Sequence, residues 1–79
     1  MILTPAEYVQ QHRDSFRIAF DFLNSHFPPD DSLSWWEQTA KDASEASIKA
    51  AENKLVIGLL IGIMDYLEDE WRQRRDGTA

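Results

Sequence analysis

The run KLVIGLLIGIMDYLEDEW, residues 54–71, decides how this chain is built. Its first half is apolar on nearly every side, and its second half becomes a charged helix with one apolar face. Val56, Leu60, Ile63, Leu67 and Trp71 recur at three- and four-residue steps, the spacing that lines one side of an α-helix. Leu55, Leu59 and Tyr66 flank that stripe on one side; Ile57, Ile61 and Met64 flank it on the other. A helix that is apolar all round is normally buried all round. In a chain of 79 residues the remaining helices can shield at most two of its faces.

Gly58 and Gly62 stand four apart within this run and therefore share a face. Each costs about 1 kcal/mol of helix propensity relative to Ala, so the pair needs a packing reason, and close approach of another helix is the simplest. Whether that neighbour is the first helix of the same chain or a second copy is left open by the spacing.

Working outward, Thr4-Pro5-Ala6-Glu7 is a capping box with Pro at the first helical position, and it starts a first helix. Tyr8, Phe16, Ala19, Phe20, Leu23 and Phe27 supply its apolar stripe, and Pro28 and Pro29 end it near Ser25 or His26. PPDDSLS, residues 28–34, reads as a linker. Ser34-Trp35-Trp36-Glu37 repeats the capping-box pattern and opens a second helix, whose stripe is Trp36, Ala40, Ala43 and Ser47. No Gly or Pro separates that helix from the third. An unbroken helix from Ser34 to Arg75 would be about 60 Å long, far beyond what one short partner helix covers, so a break is expected between Ser47 and Asn53. The reading is an all-α three-helix bundle, one domain over 1–79, with helices at 4–26, 34–47 and 53–75, the apolar third helix central, and a disordered tail from about 76.

Charge and composition narrow the function. A hydrophobic content of 43% with 11% aromatic residues belongs to a folding chain. The net charge of −6 opposes a phosphate-binding surface, because nucleic-acid affinity comes mainly from Lys and Arg. Arg72, Arg74 and Arg75 follow Glu68, Asp69 and Glu70 and suit a helix C-terminus. Only ten uncharged residues lie between Lys54 and Asp65, about half a bilayer span, and MILTPAEYVQQHRD turns polar too soon for a signal peptide. The absence of cysteine fits a cytoplasmic location and leaves oligomerisation as the route to extra stability.

Catalytic and metal-binding patterns are thin. Asp65, Glu68 and Asp69 form a carboxylate cluster, yet no Glu-x-x-His pair accompanies it, and Glu68 and Glu70 stand four residues before Arg72 and Arg74 in the favourable order for helix ion pairs. His12 and His26 fit packing and capping roles. No Ser sits in a nucleophile elbow, and the glycines are too few for a phosphate loop. The expectation is a non-enzymatic protein with no cofactor, no metal, no membrane and no nucleic-acid partner. Trp35 and Trp36 point about 100° apart on a helix, so one enters the core while the other is a contact hot spot or packs on the linker.

The segments SWWEQTAKDA and ENKLVIGLLIGIMDYLEDEWRQR resemble small uncharacterised helical proteins encoded on prophages and conjugative elements of Gram-positive bacteria. Those proteins look like an aromatic-Trp-Glu helix, a short polar break, and an apolar helix ending in Leu-Glu-x-x-aromatic, here Leu67-Glu68 and Trp71. The likeness covers Ser34 to about Arg75, with Asn53-Lys54 replacing the Asn-Pro or His-Pro of the break. It implies an accessory protein of a mobile element and supplies no activity.

These readings converge on a protein-protein interaction module that pairs with itself as a homodimer and binds an unidentified protein, with Trp35, Trp36, Ile57, Gly58, Ile61, Gly62 and Met64 as its contact residues. Two alternatives stand beside it: a carboxylate-based metal or catalytic site, and an acidic DNA mimic that occupies a nucleic-acid-binding protein.

Overall fold

The computed structural model describes residues 2–76 and is all-helical over them: α1 spans Pro5–Ser25, α2 Leu33–Lys49 and α3 Lys54–Asp76, with no strand among the described residues. The expected tail lies, past Asp76, outside the described residues. Thr4 opens α1 as the sequence predicts. Its Oγ1 accepts the Glu7 N–H at 3.2 Å, and its own N–H donates to the Glu7 carboxylate at 2.9 Å. That donation holds the Glu7 carboxyl below the ordinary carboxylate range. At the other end the His26 N–H closes on the Leu23 carbonyl before Pro28.

The second helix starts two residues earlier than its Ser34 motif indicates. Ser32 is the N-cap, in an extended conformation, and its Oγ accepts the Trp35 N–H at 3.2 Å. The reason lies in Asp30, whose carboxylate takes the Ser32 hydroxyl proton at 2.9 Å and thereby turns an oxygen lone pair toward the helix. The same bond lowers the Asp30 pKa. Leu33 thus becomes the first residue of α2 rather than part of the linker.

Residues 50–53 break the helix without a glycine or proline. Ala51 and Glu52 both take φ of 55°, the left-handed region, which costs a non-glycine residue roughly 1–2 kcal/mol. The Glu52 N–H bonds the Ser47 carbonyl at 2.9 Å and the Ala51 N–H bonds the Ile48 carbonyl at 3.0 Å, closing the end of α2. Asn53 then opens α3, its Oδ1 accepting the Leu55 N–H at 2.8 Å. These end bonds, with the burial the reversal permits, offset the strain. An uninterrupted α2–α3 helix is therefore ruled out.

α3 packs against both other helices. Its stripe Val56, Leu60 and Leu67 is buried, with Ile63 and Trp71 half-buried. α1 lies parallel to it: Ile18 of α1 lies by Val56, while Phe27, past the end of α1, stacks on Tyr66 at 6.1 Å. The face α1 offers is not the aromatic stripe of the sequence. Ser15, Ala19 and Phe22 face inward, while Phe16 is 56% and Phe20 65% exposed. Small side chains at Ser15 and Ala19 let α1 approach the bulky stripe of α3, where two more phenylalanines would hold the helices apart. Likewise α2 buries Thr39 completely and leans on Ala43 and Ala46, with Ala40 outside.

Candidate interaction surfaces

The first surface is a groove between α2 and α3. Near its middle and far end a hollow of about 450 Å³ lies between Leu33 and Trp36 on one bank and Met64, Asp65, Glu68 and Trp71 on the other. A second hollow of about 260 Å³ continues between Ala43, Ser44 and Ser47 of α2 and Ile57, Ile61 and Met64 of α3. Met64 and Asp65 line both. Over the second hollow the α2 bank is built from small residues and the α3 bank from large ones, so that part of the groove is asymmetric and open. Asp31 closes the far end by accepting the Trp71 indole N–H at 2.7 Å.

Rings join the three helices behind that groove. Trp35 and Trp36 meet edge to face at 4.7 Å, Trp36 meets Trp71 at 6.0 Å, and His26 stacks on Phe22 at 4.2 Å with Trp35 edge-on at 6.5 Å. Both adjacent tryptophans are half-buried, so neither is the fully exposed contact residue that one branch of the expectation allowed. Although their Cβ vectors diverge, the large indoles fold back against each other and share the core edge. Aromatic burial of this kind carries both packing energy and a polar handle, here the Trp71 N–H.

His26 also ties α1 to α2. Its Nδ1 lies 2.7 Å from the Phe22 carbonyl and its Nε2 2.8 Å from Asp42 Oδ2. Both contacts are within hydrogen-bond distance, so the ring bridges the end of α1 to the middle of α2. The Asp42 carboxyl is held below its ordinary range by that His26 bond first and by the Gln38 amide, at 2.8 Å, second.

The second surface is the outer side of α1 and α3. Gly58 and Gly62 are exposed, and a Cβ added at either would meet nothing within 4 Å. No helix of the same chain therefore lies on the Gly-x-x-x-Gly ridge, which removes the first helix as its neighbour. Phe16 and Phe20 of α1 and Tyr66 of α3 are exposed as well.

The seven contact residues expected from sequence thus separate. Gly58 and Gly62 form the outer ridge of α3; Ile57, Ile61, Met64 and Trp36 line the groove; Trp35 packs toward His26. Sequence reasoning missed Val9, Leu33 and Ile48 as exposed apolar residues. Leu33 was legible, since Ser32-x-x-Trp35 offers a cap two residues earlier than Ser34. Glu68 bonds Arg72 at 2.6 Å, while Arg74 and Arg75 lie over the rings of Phe27 and Trp71 at 5.2 and 4.5 Å. His12 stays outside, tilted on Tyr8 at 6.2 Å. Among the described residues no three His, Asp or Glu side chains are grouped to hold a metal ion, and no helix is long and apolar enough to cross a membrane. Comparison of the chain with protein-family models, curated proteins and solved structures finds no match.

Proposed function

We propose that this chain is a non-enzymatic protein-interaction module that pairs with a second copy of itself through the outer ridge of α3. The observation that carries the reading is the open Gly58/Gly62 ridge, two costly glycines in mid-helix with nothing among the described residues within 4 Å of an added Cβ. Tyr66, one turn beyond Gly62 on the same helix, is exposed, as are Phe16 and Phe20 of α1. A two-fold contact would bring two such ridges together, glycine against glycine, with the aromatic side chains closing over the seam.

Light scattering at roughly 10–100 μM tests the reading, with a mass near twice 9.2 kDa expected. Gly58→Leu with Gly62→Leu has room in the monomer and should return the mass to one chain. A wild-type monomer throughout that range sinks the proposal.

A further inference from the structure

The α2–α3 groove differs from the proposed dimer ridge in charge and shape, and those two properties specify an occupant. Its floor is Trp36, Leu60, Met64 and Ile57, an apolar strip. Its rim at the wide end is acidic: Asp31, Asp65 and Glu68. Two of the three are engaged, Asp31 with the Trp71 indole and Glu68 with Arg72, and Asp65, which lines both hollows, is an exposed carboxylate at the midpoint. From Leu33 to Ser47 the α2 bank runs about 20 Å. Ala43, Ser44 and Ser47 keep that bank low, so a third backbone can settle between the two helices as a ridge settles into a groove.

We infer that the groove receives one amphipathic helix of about four turns from a partner protein, apolar on the face that enters and basic along the edge that meets Asp65 and Glu68. The inference rests on the chain being an interaction module and names the partner's chemistry. Recognition is of the helix-in-groove type, with anchors at three- and four-residue steps meeting Trp36, Met64 and Ile61. Charge selects among such helices: an acidic edge would face the exposed Asp65 carboxylate in a protein already at −6. The chain's own cationic stretch, Arg13 and Arg17 beside Phe16 and Phe20, makes a second copy the main competing occupant.

The probe is a 14-residue peptide of Leu and Lys in helical register, with a twin in which every Lys is Glu. Trp36 and Trp71 line the groove and report occupancy by their fluorescence. The Lys peptide should bind full-length protein saturably at one site per chain, and the Glu peptide at least ~10-fold more weakly. Asp65→Lys should weaken Lys-peptide binding by ~10-fold, as should Ser44→Trp, which fills the groove from an exposed position. Asp21→Lys changes net charge equally on α1 and should leave the affinity within about two-fold. If Asp21→Lys weakens binding as much as Asp65→Lys, the effect is one of net charge and the inference fails. It fails also if neither peptide binds, or if Asp65→Lys instead dissociates wild-type-like oligomers, which would make a second copy the occupant. Gly58→Leu with Gly62→Leu, which tests the dimer, should leave peptide affinity unchanged, so the two readings can fall separately.

Discussion

The inner and outer sides of α3 are made from the same kinds of residue and meet opposite fates. Leu67 on the inner stripe is fully buried, while Ile61, six residues back on the flank that lines the α2–α3 groove, is 59% exposed. Hydrophobicity does not separate them. What separates them is whether another helix of the chain can reach that angle, and two short helices reach only about half the circumference of α3. The outer side carries the glycines, which no intrachain contact explains. In a domain this small an apolar residue is evidence for a neighbour without being evidence for which molecule supplies it.

The largest expected effect breaks the inner side. Leu67→Ala deletes a completely buried side chain and should cost about 3 kcal/mol, a large share of the roughly 4–12 kcal/mol typical for a chain of this length. Chemical denaturation monitored by circular dichroism should show the midpoint collapsing. By contrast Phe20→Ser, a change of similar size on an exposed aromatic, should move monomer stability by no more than about 0.5 kcal/mol. If the two substitutions cost the same, the assigned α1 and α3 faces are wrong.

On the outer side the sign reverses. Gly62→Ala adds a methyl group into open space and restores helix propensity, so it should stabilise the monomer by about 1 kcal/mol and raise its Tm by roughly 4–8 °C. A loss of stability in the monomer would mean that something of the same chain does pack on that ridge. Ala51→Gly acts at the break in the same direction and more weakly. It relieves a left-handed φ at the expense of unfolded-state entropy, for a net gain of about 0.5 kcal/mol by thermal melting.

These substitutions also mark what the sequence could and could not reveal. The Thr4 box and Pro28-Pro29 punctuate α1 with residues whose only comfortable conformations are those they adopt, so its ends were legible to within a residue or two. The α2–α3 break is made by Ala51 and Glu52 against their own preference, and only length argued for it. The α3 stripe was legible because large side chains repeat at helical steps and are buried. The α1 face was read only in part: Ala19 is buried as its place in the stripe predicts, but Ser15 and Phe22 turn inward where Phe16 and Phe20 were expected, and a serine chosen for closeness gives no hydrophobic signal. For the contact residues, the glycines were found by their cost. Of the acidic rim, Asp65 and Glu68 were visible as a carboxylate cluster, whereas Asp31 joins them beside Trp71, forty residues away in sequence.

The smallest effect concerns the polar tie between α1 and α2. The Asp42 carboxyl gives up its proton more readily in the folded chain than in the unfolded one, because His26 and Gln38 both donate to it. A carboxyl with a depressed folded pKa stabilises the fold above its ordinary value of 3.8. It loses that contribution as pH falls through the depressed value. Glu7 and Asp30 are shifted the same way, so the acid limb of the stability curve is shared by three groups. Asp42→Asn removes one of them. At neutral pH the variant should melt slightly below the wild type, and the gap should close as pH drops well under 3.8, where the wild-type carboxyl is itself neutral. Asp14→Asn, on the outer part of α1 and bonded only to Gln10 at 2.9 Å, serves as the comparison. Should the Asp42 gap persist unchanged at low pH, the His26 contact contributes through packing on Phe22 alone, and the tie between the first two helices is the ring stack rather than the ion pair.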